Sequence, residues 1–151
     1  MKRGILNVII TVAVIIIVSL PIYFHNISIN HGIMNNLDRD FKEALTTAHG
    51  GFNKDYNNMD IQEVSEDYSK AIGGISTANN FVEYTSYSKE NPKLAEAISQ
   101  LNSYMIDHSP LIEPIDIEVN GMIFDRIIGI TISPLSEERA EALINYIESL
   151  N

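Results

Sequence analysis

The stretch that decides the predicted fold class is residues 115–133, IDIEVNGMIFDRIIGITIS. Its first five residues alternate between apolar and acidic side chains: Ile115, Asp116, Ile117, Glu118 and Val119. That period is typical of a strand with one buried face. Asn120-Gly121 then supplies the two residues that best tolerate the positive φ angles of a tight hairpin turn. We therefore expect a β-hairpin, with a return strand over residues 122–133 and a bulge near Gly129.

Helices are predicted on both sides of this hairpin. Asp60 is an N-cap residue before an amphipathic segment that Gly73-Gly74 is expected to end. Asn91 is expected to cap a second helix, and Ser136 a third. Residues 75–90 fit either an edge strand or a packed loop. Helices beside a small antiparallel sheet predict an α+β fold.

The N-terminal part of the chain predicts a membrane anchor. Residues 5–24 carry no charge, and a helix of that length covers the roughly 30 Å hydrocarbon layer. Lys2 and Arg3 precede this segment, so we expect residues 1–4 in the cytoplasm and the rest of the chain outside the cell membrane. A cleaved signal peptide is the competing interpretation. The length of the apolar run and the lack of a small-x-small cleavage site favour a retained single-pass transmembrane helix.

Residues 25–50 are predicted to continue outward as an amphipathic stalk helix, ended by Gly50-Gly51. Its apolar residues follow alternating three- and four-residue steps: Met34, Leu37, Phe41, Ala44 and Ala48. Such a stripe either packs on the protein's own head, residues 51–151, or mediates self-association. Packing on the head is the favoured interpretation, and self-association is the alternative.

Charge and cysteine content exclude several classes of protein. The 151 residues include 10 basic and 20 acidic side chains, a formal net charge of −10, and no cysteine. Disulfides, thiolate metal sites and a cysteine nucleophile are therefore excluded. Nucleic-acid binding is not expected, because it requires cationic surface to meet phosphates.

One loop partly resembles a calcium-binding loop. Oxygen-bearing side chains stand at its first, third and fifth positions, in Asn53, Asp55 and Asn57. The bidentate acid should be twelfth, where the chain has Val64, and Glu63 comes one residue early. A turn leading into a capped helix explains the same residues, so no metal site is predicted.

No pattern predicts catalysis or a cofactor. The four histidines, His25, His31, His49 and His108, do not have the spacing of short metal-binding motifs. Nucleophile elbows, phosphate loops and dinucleotide fingerprints do not occur in the sequence. We therefore expect a protein that is not an enzyme.

The predicted plan of membrane helix, stalk and small α+β head resembles that of pilin-like and TadE-like proteins. Lys2-Arg3-Gly4 resembles the basic-plus-glycine site that precedes a prepilin cleavage point. The chain departs from that pattern at Ile9, where the family carries glutamate. Short single-pass components of conjugation and secretion machines share the same topology.

The functional hypothesis from the sequence is an anchored, acidic extracytoplasmic protein with an assembly or interaction role in a cell-envelope complex. Its expected partners are the lipid bilayer, through residues 5–24, and other envelope proteins or a second copy of the chain. Two alternatives are a tethered ligand- or cation-binding module that acts through a partner, and an anchored hydrolase.

Overall fold

The computed structural model of the protein divides the chain into two compact units, Met1–Asn35 and Asn36–Asn151. The residues that the structure describes are 28–52, 54–112, 114 and 116–150. In the first unit, residues 28–35 are helical, and Ile29 and Ile33 are exposed. The boundary between the units falls within the predicted stalk, residues 25–50.

The second unit is helical throughout its regular elements. We name its helices α1 (36–52), α2 (Ile61–Val82), α3 (Ser86–Glu90), α4 (Lys93–Asp107), α5 (Ile117–Ile132) and α6 (Glu137–Leu150), with a 3₁₀ turn at Tyr56–Asn58. No β-strand occurs among the described residues. The predicted α+β fold with a small antiparallel sheet is therefore wrong.

The predicted hairpin around Asn120-Gly121 is replaced by helix α5. The alternating pattern covers only five residues, whereas the buried positions of α5 follow helical spacing: Asn120, Ile123, Ile127 and Ile130. Asp116, taken as a strand residue, is the N-cap, and its carboxylate accepts a hydrogen bond from the Glu118 amide at 2.7 Å. The segment forms a helix because the helical arrangement buries an apolar face against α6.

Gly121→Ala tests this correction. In α5 an ideal Cβ on Gly121 would meet no atom within 4 Å, and the residue has no positive φ. We expect the substitution to raise the free energy of unfolding by about 0.5–1 kcal/mol, because alanine loses less backbone entropy in a helix. A hairpin turn would give the opposite sign, since alanine resists positive φ. Urea denaturation of the full-length protein measures the difference.

Helix α4 lies at the centre of the second unit and packs against α2, α3 and α6, while α6 also contacts α5. Its buried face has the predicted helical spacing: Leu94, Ala97, Ile98, Leu101 and Met105. Two sets of hydrogen bonds show that α2 and α4 run antiparallel. Ser76 donates to the Asn102 side chain at 2.7 Å, and Tyr68, earlier in α2, donates to the carbonyls of Met105 and His108, later along the chain. The start of α2 and the end of α4 therefore lie at the same end of the unit.

Two of the three predicted helix caps are confirmed. Asp60 accepts hydrogen bonds from two amides of α2's first turn, each at 2.9 Å. Ser136 accepts one from the Arg139 amide at 3.4 Å. Asn91 is not a side-chain cap: its Nδ2 donates to the Pro134 carbonyl at 2.9 Å and joins the start of α4 to the α5–α6 turn.

The predicted stop at Gly73-Gly74 is also wrong, because α2 continues to Val82. The segment predicted as an edge strand or packed loop, residues 75–90, forms the end of α2, a turn and α3. Glycine is present within α2 for a packing reason. An ideal Cβ on Gly74 would lie 2.7 Å from both the Ala44 carbonyl oxygen and the Ala48 amide nitrogen of α1.

In the described part of the chain, no helix has both the length and the apolar character needed to cross a bilayer. This finding contradicts the predicted transmembrane helix and the predicted single-pass membrane localisation. The segment to which the anchor was assigned, residues 5–24, lies outside the described residues.

Candidate functional site

Exposed apolar side chains gather at one end of the second unit. They are Ile61, Ile106, Leu111, Ile112 and Ile117, and we call this surface the apolar end. Ile112 is 79% exposed and Ile61 is 77% exposed. Single exposed apolar side chains are ordinary, but a group of large ones at one place marks an interaction surface.

The geometry of α2, α4 and α5 brings these residues together. Ile61 opens α2 and Ile106 lies in the last turn of α4, and the antiparallel packing of those helices places both at the same end. The start of α5 is held at that end by a hydrogen bond from Asn120 to the Lys54 carbonyl, 3.5 Å long. Ile117, the first residue of α5, is therefore also there.

The connection between α4 and α5 presents Leu111 and Ile112, and Ile112 is the most exposed side chain of the apolar end. The Ile112 amide donates to the Ser109 carbonyl at 2.9 Å, and the Leu111 amide donates to the Ser109 hydroxyl at 3.3 Å. These two bonds close a tight turn, so the backbone is fixed by local contacts. Both apolar side chains of this turn are left in solvent.

Five exposed acidic side chains lie on the same elements as the apolar end, and we call them the acidic rim. The exposed carboxylates on the same elements are Asp60, Glu63, Asp107, Asp116 and Glu118. Lys54, at the same end, is 3.1 Å from Asp67, and this hydrogen-bonded pair holds the pKa of the Asp67 carboxyl below its usual range. This end of the unit therefore presents exposed apolar side chains together with negative charge.

Beneath the apolar end, two tyrosines fix the loop that precedes α2. The Tyr56 hydroxyl donates to the Gly51 carbonyl at 2.7 Å, and its ring meets the Tyr68 ring edge-on, with centroids 5.9 Å apart. Burial raises the pKa of both hydroxyls, so both keep their protons for hydrogen bonding. The loop beneath the apolar end is therefore held by a hydrogen bond and a ring contact.

The predicted calcium candidates do not converge. Asp55 accepts hydrogen bonds from the Asn57 amide and from the Asn58 side chain, and Glu63 lies in the first turn of α2. Asn53 lies outside the described residues. No group of three or more metal-ligating side chains occurs in the ranges that the structure describes. The turn and the capped helix account for these residues.

The interaction stripe predicted in the stalk lies largely in the core. Phe41, Ala44 and Ala48 are buried within the second unit, and Leu37 is half-buried. Met34 belongs to the first unit and is also half-buried. This placement corresponds to packing on the protein's own head, one of the two interpretations of the pattern.

Two described histidines of the second unit make structural contacts. His49 Nε2 is 3.1 Å from the Thr131 hydroxyl, which itself donates to the Ile127 carbonyl at 2.8 Å. Burial lowers the pKa of His49, and a backbone hydrogen bond with Ile127 opposes that shift. His108 stacks on Tyr104 with ring centroids 4.3 Å apart.

The two described histidines of the second unit contact different residues, His49 the Thr131 hydroxyl and His108 the Tyr104 ring. Of the other two histidines, His31 lies in the first unit and His25 lies outside the described residues. The absence of enzymatic activity stays a prediction.

Comparison with protein-family models, with curated proteins and with solved structures found no match. The sequence-based resemblance to pilin-like proteins therefore has no support from relatives, and the α+β head on which it relied is corrected above.

Proposed function

We propose that this protein is an interaction module that docks an amphipathic segment of a partner protein on its apolar end. The observation that carries the proposal is the group of five exposed apolar side chains with an acidic rim. The partner segment that fits it has an apolar face flanked by lysine or arginine. Such a segment buries apolar area at the centre and pairs its charges at the rim.

A second copy of the chain fits this surface less well. The chain carries a net charge of −10, and the rim of the apolar end is negative, so two copies in contact would bring like charges together. Like-charge juxtaposition opposes association, whereas a basic partner gains both affinity and a faster encounter. Charge complementarity therefore selects the occupant.

The experiment uses the full-length chain and a fluorescent synthetic peptide that carries leucine on one helical face and lysine on the other. We expect saturable binding that weakens as salt is added. Replacing Leu111 and Ile112 together by aspartate should weaken binding at least tenfold, because each apolar side chain contributes about 1.5–3 kcal/mol when fully buried. Fluorescence anisotropy measures the affinity.

Ile132→Asp is the matched control. Ile132 is the last residue of α5, is 69% exposed, and lies a helix length from the apolar end. It should leave peptide binding unchanged. Equal loss in the control, or no binding by the wild-type protein, would contradict the proposal. A homodimer in sedimentation analysis that the Leu111/Ile112 variant dissociates would instead identify a second copy as the occupant.

A further inference from the structure

One titratable side chain lies between two helices of the second unit and has no part in the apolar end. His49 of α1 is half-buried against α5. Its Nε2 atom is 3.1 Å from the Thr131 hydroxyl oxygen, and its ring meets the Phe124 ring edge-on, with centroids 5.9 Å apart. Phe124, Ile127 and Thr131 share one face of α5, because they are three and four residues apart in a helix. His49 therefore forms part of the contact between α1 and α5.

The residues beside His49 make this contact largely apolar. Along α1, Leu45 and Ala48 are fully buried and Phe52 is almost so, and on α5 Ile127 is fully buried. An imidazolium ion in such surroundings loses part of its hydration, which disfavours the charged form of the ring. The neutral ring meets no such penalty.

The charged side chains of α1, α2 and the loop between them are engaged away from the imidazole. Lys42, two turns earlier on the same face of α1, has its ammonium over an aromatic ring of α3. Glu43 lines a groove between α1 and α2. Lys54, in the loop, and Lys70 both pair with Asp67 of α2. No ion pair involving the imidazole occurs in the part of the chain that the structure describes.

The charged side chains of α5 are directed toward α6. Asp125 and Arg126 line a groove that α5 forms with α6, and Arg126 donates to an α6 carbonyl at 3.1 Å. Asp116 and Glu118 raise the pKa of Tyr146 in α6, although burial is the larger cause of that shift. The α1 face of α5 therefore offers the imidazole a hydroxyl and a backbone carbonyl, and no carboxylate among the described residues.

We propose that protonation of His49 weakens the packing of α1 on α5, so that this helix contact responds to pH. The charged ring would be partly dehydrated without a carboxylate to neutralise it, whereas the neutral ring packs on Phe124 without that cost. Histidine is the side chain that ordinarily changes charge between about pH 5 and about pH 8. The contact is therefore tight at the upper end of that range and weak at the lower end.

The sign of the pH dependence follows from the difference between the folded and unfolded chains. Burial lowers the pKa of His49, and a hydrogen bond with the Ile127 backbone opposes that shift to a lesser extent. The unfolded chain, with the ordinary histidine pKa of about 6.5, therefore binds the proton more readily than the folded chain. The stability that neutral His49 contributes is fully present above that pH, and it is lost as the pH falls through the pKa of the folded state.

The experiment follows the histidine ring signals of the ¹⁵N-labelled full-length chain by NMR between about pH 8 and about pH 5. We expect His49 to titrate at a lower pH in the folded chain than in the same chain unfolded in urea. The amide signals of Phe124 and Thr131 should move with the His49 titration. Amide hydrogen exchange in the last two turns of α1 should become faster at the lower pH, relative to the exchange rate of unfolded peptide at that pH.

Three variants separate this histidine from the other groups that titrate. His49→Gln keeps a polar side chain that cannot be charged, and it should reduce the fall in the urea midpoint between the two ends of the pH range. Thr131→Asp places a carboxylate beside the imidazole and should raise the pKa of His49, which reverses the sign of its contribution. His108→Gln is the matched control, because His108 stacks on Tyr104 of α4, and it should leave the titration of the α5 signals unchanged.

The Thr131→Asp result keeps the proposal falsifiable if His49→Gln fails to fold. A pKa of His49 in the folded chain equal to or above that in the unfolded chain would overturn the proposal. So would Phe124 and Thr131 signals that do not follow the His49 titration, or a pH dependence of stability that His49→Gln leaves intact. Loss of the same titration in His108→Gln would assign it to the wrong histidine and overturn the proposal as well.

Discussion

Gly74→Ala should lower the free energy of unfolding by about 2–3 kcal/mol, the usual cost of forcing an extra carbon into a packed core. The added Cβ would lie 2.7 Å from two backbone atoms of α1, in Ala44 and Ala48, and 3.0 Å from the Ala48 Cβ. Backbone cannot rotate away as a long side chain can, so α1 and α2 must separate. Urea denaturation of the full-length protein, followed by circular dichroism, gives the change.

The neighbouring glycine provides a matched control. Gly73 also lies within α2, and an ideal Cβ there would meet no atom within 4 Å. Gly73→Ala should therefore stabilise the protein by about 0.5–1 kcal/mol through helix propensity alone. The same substitution at two adjacent positions is therefore expected to change the free energy of unfolding in opposite directions. Equal effects at the two positions would show that α1 and α2 do not approach each other here.

The same glycines explain one failure of prediction from sequence. Gly73-Gly74 after an amphipathic run is a standard helix stop, because glycine favours conformations outside the helix. The cost of glycine within a helix is only about 1 kcal/mol, and close packing of α1 on α2 offsets it. Whether a glycine ends a helix or admits a neighbour depends on another segment, here Ala44 and Ala48, and local sequence does not contain that information.

Capping residues were predictable because their interactions are local. Asp60 and Ser136 bond amides two or three residues away, so the sequence around them contains both partners. Asn91 is also a residue type that favours helix caps, and a proline follows it. Its side chain nevertheless donates to the Pro134 carbonyl, 43 residues along the chain. The long-range partner determined its role.

The error at residues 115–133 has a related cause. A five-residue alternation and an Asn-Gly pair are strong local signals for a hairpin. The helical period becomes visible only over a longer stretch of sequence, at Asn120, Ile123, Ile127 and Ile130. One of these positions is an asparagine, which the local sequence indicates as a turn residue. That asparagine is buried and reaches the Lys54 carbonyl, a contact that only the tertiary fold supplies.

The apolar end was not predicted from the sequence. Leu111 and Ile112 lie between two prolines, in a segment that connects two helices. Apolar residues in such a connection tend to be exposed, and this was the signal in the sequence that could have indicated the surface.

Phe41→Ala addresses whether the predicted interaction stripe belongs to the core. The Phe41 side chain of α1 is fully buried, and its ring centroid lies 6.1 Å from that of Tyr87 in α3. Truncating a buried phenylalanine removes apolar contacts and leaves a cavity, which costs about 3–5 kcal/mol. We expect a loss of that size in urea denaturation of the full-length protein.

The dependence of this loss on protein concentration separates the two interpretations of the stripe. If Phe41 stabilises the fold within one chain, the denaturation midpoint of the wild-type protein and the loss in Phe41→Ala are the same at protein concentrations twentyfold apart. If Phe41 lies between two chains, mass action makes the wild-type midpoint rise with concentration. Ile132→Ala, at a site that is 69% exposed, should change the free energy of unfolding by no more than about 0.5 kcal/mol. A concentration-dependent midpoint that Phe41→Ala abolishes would place this side chain in an interface and contradict its assignment to the core.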